Sequence, residues 1–99
     1  MREITISNRA QKNIEVLFNH LELKWSEKVK KKFALKLYDT LKIIQISPES
    51  FPKSGHNPNY HKCVLSKQTT IYYRHSSKQI RILSLFDTRQ NPTKINKIK

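Results

Sequence analysis

Arg89 stands in the closing run Asp87-Thr-Arg-Gln-Asn-Pro92, and the chain also carries four histidines, His20, His56, His61 and His75. A guanidinium is a permanent cation with a fork suited to phosphate, and an imidazole titrates near neutral pH. Groups of these two kinds are what a metal-independent phosphodiester cleavage would require, while an arginine so placed equally serves as a structural or partner-facing residue. In that chemistry a ribose 2′-hydroxyl attacks the adjacent phosphate, a base takes its proton, an acid protonates the leaving oxygen, and cations hold the phosphorane charge. Arg89 suits the last role. His75, which ends the run Thr69-Thr-Ile-Tyr-Tyr-Arg-His75, and His56, in a proline-rich segment, are the imidazoles best placed to reach it, although no spacing fixes either as acid or base. His61 and Cys63 alternate along a strand and offer only half the ligands a zinc site takes, so neither a metal nor another cofactor is expected.

The elements that must position these residues are readable from periodicity. Arg2 to Ile6 alternates polar and apolar residues and predicts a short strand, after which Ser7 is a cap for a helix. From Asn8 to about Leu21, Ala10, Ile14, Leu17, Phe18 and Leu21 recur at helical steps. After a brief connection at Glu22–Trp25, Ser26 caps a second helix striped by Val29, Phe33, Leu37, Leu41 and Ile44, with Trp25 expected to pack against the hairpin. The opposite face, with Lys28, Lys30, Lys31, Lys32, Lys36 and Lys42, reads as a solvated surface. Ser47 to Tyr60 holds Pro48, Pro52, Gly55 and Pro58 and predicts an irregular loop. Three strand-like runs follow, His61–Leu65, Thr69–His75 and Gln79–Phe86.

The order strand, helix, helix, loop, strand, strand, strand predicts an α+β fold: a helical hairpin on one face of a small, mainly antiparallel four-stranded sheet, its other face free to bind. Residues 1–93 make one domain and 94–99 a basic tail. Tyr72 and Tyr73 point to opposite faces, so one enters the core and the other faces out. Tyr73 is counted with Arg74, Arg81, Lys94 and Lys97 as the contact set for nucleic acid or a partner, and Cys63 as a small buried apolar residue.

Twenty Lys and Arg against seven Asp and Glu give a net charge of +13, and 36% of the residues are hydrophobic. The chain therefore folds, and its field favours an acidic partner, whether nucleic acid or an acidic protein. A lone cysteine excludes an intramolecular disulfide and suits a reducing compartment, so a cytoplasmic address is expected. Neither a signal peptide nor an apolar run long enough to span a membrane is recognisable, and no membrane partner is expected.

The element order, the second helix beginning after Trp25, the Tyr72-Tyr73-Arg74 strand and the ending Ile82-Leu-Ser-Leu-Phe-Asp-Thr-Arg-Gln-Asn-Pro92 together resemble the RelE/ParE superfamily of bacterial toxins over nearly the whole chain. The resemblance implies a type II toxin of the plasmid-stabilisation kind, neutralised by a co-encoded, typically acidic antitoxin. RelE-like members cut mRNA on the ribosome, whereas ParE-like members inhibit DNA gyrase. Arg89 matches the arginine near the end of the last strand that RelE-like nucleases use, and Lys62 matches one of their basic residues. Val64 and Thr70 stand where that pattern has a second lysine and an arginine, which turns the expectation towards a ParE-like, target-binding toxin. Arg89, Lys62 and His75 remain the catalytic set of the RelE-like alternative, and a non-toxic basic nucleic-acid-binding module is a further one.

Overall fold

The computed structural model describes residues 2–55 and 57–88. His56, Arg89, Lys94, Lys97 and the 94–99 tail lie outside the described residues. The chain runs β1 (Glu3–Ile6), α1 (Asn8–Lys24), α2 (Glu27–Ile46), a single 3₁₀ turn (Pro48–Ser50), β2 (His61–Val64), β3 (Thr69–His75) and β4 (Gln79–Asp87).

Both helices begin where a serine oxygen satisfies a free backbone donor. Ser7 Oγ accepts the Ala10 N–H at 3.0 Å and Ser26 Oγ the Val29 N–H at 3.1 Å. Only Trp25 and Ser26 separate the helices, which fold back as a hairpin. That tight link turns Trp25 outward, 57% exposed, instead of packing it against the hairpin as its size suggested. α1 outlasts its apolar stripe by three residues, because helical hydrogen bonding continues until the Trp25 and Ser26 amides both reach the Leu21 carbonyl.

The sheet order is β1-β4-β3-β2. β2, β3 and β4 are antiparallel neighbours, while β1 joins β4 in parallel, so the sheet is mixed at that edge. α1 lies on β4 and α2 against α1. Leu17, Leu21, Phe33, Leu37 and Ile44 meet Cys63, Ile71, Tyr73, Ile80, Ile82 and Leu85 in one core, with Phe18 and Phe33 edge to face at 6.0 Å. The helices thus cover one sheet face and leave the other open.

Two irregularities shape the open face. Between Tyr72 and Tyr73 the β3–β4 register slips, pairing them with Ser84 and Ile82 and leaving Leu83 as a bulge. Ser7 Oγ donates to the Leu83 carbonyl at 2.7 Å, and the Leu85 N–H donates to Asn13 Oδ1 at 3.2 Å, so the start of α1 is tied to the bulge. The described residues of the Ser47–Tyr60 segment are tied down by backbone hydrogen bonds. Ser54 N–H donates to Tyr60 O, Lys62 N–H to Pro52 O, and Lys53 bridges His61, which covers the outer edge of β2.

Candidate functional site

Strand alternation decides which side chains reach the open face. On β3, Thr69, Ile71 and Tyr73 are buried while Tyr72 and Arg74 are not; on β2, His61 and Cys63 are buried while Lys62 and Val64 are exposed. Register then sets neighbours. Lys62 stands opposite Tyr72, and Tyr72 opposite Ser84, while Arg74 stands directly opposite Arg81, which in turn pairs with Thr5 of β1. Lys62, Tyr72, Arg74 and Arg81 therefore share one surface.

Arg74 and Arg81 are like charges on directly opposed residues, an arrangement that costs stability. Among the described residues neither guanidinium has a carboxylate within ion-pairing distance; the ion pairs are Lys30–Glu22 at 3.1 Å and Lys31–Glu27 at 3.8 Å, both on the helices. An anion laid across this row would relieve the repulsion. Beside it runs a groove of about 780 Å³, walled by Ser7 and Arg9 at the start of α1, by Tyr72, Ser84 and Phe86 on the strands, and by Ser54 and Tyr60 of the loop. The bulge helps to build it, because Leu83 and Ser84 are consecutive half-exposed residues between buried Ile82 and Leu85.

Tyr73 does not belong to this surface. It is 0% exposed, its hydroxyl donates to the Pro48 carbonyl at 2.6 Å, and burial drives its phenol pKa strongly upward. The period of two makes its placement beside Arg74 impossible, since adjacent residues face opposite ways. Tyr72 is the tyrosine on the open side. His75 shares the parity of Tyr73 and faces the helix side, so the strands separate it from Lys62. The three residues grouped for phosphodiester chemistry are accordingly not brought together: Lys62 and His75 lie on opposite faces, and Arg89 is beyond the described chain.

His75 instead meets His61. Their ring centroids are 4.9 Å apart, and His61 stacks on Tyr73 at 5.3 Å with 16° between planes. Both line a second cavity of about 660 Å³ with Glu49, Phe51, Lys53 and Asn59. Cys63, buried as expected, has its thiol pushed up to about 11 by burial. Among the described residues no three His, Cys, Asp or Glu side chains are placed to hold a metal ion, and no helix is long and apolar enough to cross a membrane.

At the far end of the sheet, Thr69 Oγ1 donates to the buried Asp87 carboxylate, joining the start of β3 to the end of β4. Its sign in the sequence is a carboxylate directly after the apolar pair Leu85-Phe86 that closes β4, opposite a β-branched hydroxyl residue.

The arrangement of a β1-linked helical hairpin on a β1-β4-β3-β2 sheet is that of the RelE/ParE toxins. A chain of the chromosomal ParDE toxin–antitoxin system from P. aeruginosa matches with a TM-score of 0.73 and 15% identity, over 88% of this chain and 96% of that one. The YoeB/ParE toxin from Agrobacterium tumefaciens matches at 0.63 and 11% identity, over 86% and 96%. A chain of the E. coli DinJ–YafQ toxin–antitoxin complex matches at 0.61 and 13% identity, over 89% and 93%. No family pattern and no curated protein matches the sequence.

Proposed function

We propose that this protein is the toxin of a type II toxin–antitoxin pair, held inactive by a co-encoded acidic antitoxin, and that it arrests growth in the ParE manner, by binding a cellular target such as DNA gyrase. The fold supports the first part. The observation that favours binding over cleavage is the make-up of the open face: Lys62, Arg74 and Arg81 supply fixed positive charge, and the described lining of the adjacent groove contains neither imidazole nor carboxylate. Cleavage through a 2′-hydroxyl needs a proton acceptor and a proton donor at the phosphate. Gripping an acidic surface needs only complementary charge and shape. In a supercoiling assay with purified gyrase, the toxin inhibits the enzyme and the antitoxin restores it; full supercoiling at saturating toxin removes gyrase as the target.

A second reading, a ribosome-dependent mRNA endoribonuclease, draws on Tyr60, Tyr72 and Phe86 around the groove, since aromatic rings at a cationic surface suit unstacked bases. Primer extension on translated mRNA then shows new 5′ ends that vanish in Arg89→Ala and weaken in Lys62→Ala. Toxicity without such ends excludes it.

A further inference from the structure

Ser7 takes two consecutive carbonyls of β4. Its backbone N–H donates to the Ile82 carbonyl at 2.9 Å and its hydroxyl to the Leu83 carbonyl at 2.7 Å. Along a regular strand consecutive carbonyls point to opposite edges, so one residue reaches both only where the strand is bulged. β1 ends at Ile6, opposite Ile82, and among the described residues no strand lines the outer side of β4 beyond that point. The start of α1 stands in for one: Ser7 holds the Leu83 carbonyl, and Asn13 Oδ1 accepts the Leu85 N–H at 3.2 Å. The Ser7 hydroxyl oxygen also accepts the Ala10 N–H, so the helix cap and the bulge share one group.

We infer that Ser7 and Asn13 are positioning residues of the open face: by holding the bulge at Leu83 they bring Arg81 and Phe86 to the same side of the sheet. The separation of these two is odd, which in a regular strand puts them on opposite sides. Before the bulge Arg81 is on the open side while Ile80 and Ile82 are buried; after it Ser84 and Phe86 are on the open side while Leu85 and Asp87 are buried. Arg81 carries the charge opposed to Arg74, and Phe86 walls the groove with Tyr72. A straightened β4 that kept Ile80 and Ile82 inside would turn Phe86 inward and Leu85 outward. The cationic row and the groove are one surface only with the extra residue in place.

This role rests on the open face being the surface that meets the toxin's target, as proposed above, whereas the register can be read without any target. Register and toxicity are therefore measured side by side in the full chain. In the double variant Ser7→Gly, Asn13→Leu the Leu83 carbonyl and the Leu85 amide lose their partners, while glycine still caps a helix nearly as well as serine. By NMR the Tyr72–Ser84 cross-strand contacts disappear and the Leu85 amide exchanges about tenfold faster, the usual effect of one lost hydrogen bond, while the Arg74–Arg81 pairing stays. Growth arrest on induction then needs about tenfold more toxin or greater, as when one anchoring contact of an interface is misplaced.

Two controls separate positioning from plain stability. Tyr73→Phe loosens the covered face, leaves the bulge alone and keeps full arrest; Ser7→Thr retains the hydroxyl and keeps both register and arrest. If the double variant does not fold, Ser7→Gly alone is judged by the same two readings. Tyr72–Ser84 contacts that survive the double substitution overturn the positioning role, as does a variant that loses them yet arrests growth at the wild-type dose, or an equal loss of arrest in Tyr73→Phe. A wild-type chain that does not arrest growth sinks the toxin reading itself, and this role with it, whatever the register shows.

Discussion

Alternate residues of the same strands build two unlike faces. Towards the helices, β2 and β3 send His61, Cys63, Ile71 and Tyr73, all buried; towards the open side they send Lys62, Tyr72 and Arg74. Neighbouring tyrosines thus have different work: Tyr73 ties the loop to the core through Pro48, and Tyr72 lines the groove. The covered face fixes shape, and the open face concentrates charge that the fold itself does not neutralise. A one-residue offset is enough to exchange structural for functional duty, because side chains alternate with period two.

The largest effect expected from breaking this comparison is at Tyr73. Tyr73→Ala, by opening a cavity in the core and stranding the Pro48 carbonyl, costs about 3–5 kcal/mol in urea denaturation. Tyr72→Ala stays within roughly 1 kcal/mol of the wild type, as surface changes do. Equal losses at the two positions would erase the distinction between the faces. Tyr73→Phe isolates the hydroxyl and costs about 1–2 kcal/mol, the usual effect of leaving a buried acceptor unpaired. Smallest in stability is Cys63, which tests burial directly: with its thiol at about 11 and almost no exposure, the folded chain at neutral pH reacts with a thiol reagent about a hundredfold more slowly than the urea-unfolded chain. Comparable rates would mean that β2 opens freely.

Much of the covered face was legible in the sequence. Ser7 and Ser26 announced both helices, and the stripes through Leu17, Leu21, Phe33, Leu37 and Ile44 are the residues that fill the core. Helical periodicity and caps are local signals and survive without tertiary information. The open face was less legible, for identifiable reasons. Arg74 facing out already requires Tyr72, not Tyr73, to join it, so the parity of β3 could have been settled from the sequence. The bulge at Leu83 could not, because it is set by the Ser7 and Asn13 contacts across the molecule. Nor could the Arg74–Arg81 opposition or the His61–His75 contact, which depend on a register that no single strand encodes. Trp25 escaped because a two-residue link left its bulky ring no route back to the core.

The most direct test of the division between faces is a side-by-side measurement of stability and growth inhibition for the triple variant Lys62→Ala, Arg74→Ala, Arg81→Ala. The account predicts a fold at least as stable as the wild type to within roughly 1 kcal/mol, since an opposed pair of like charges is removed, together with loss of growth arrest on induction. A variant that folds normally and still arrests growth as the wild type does would contradict it.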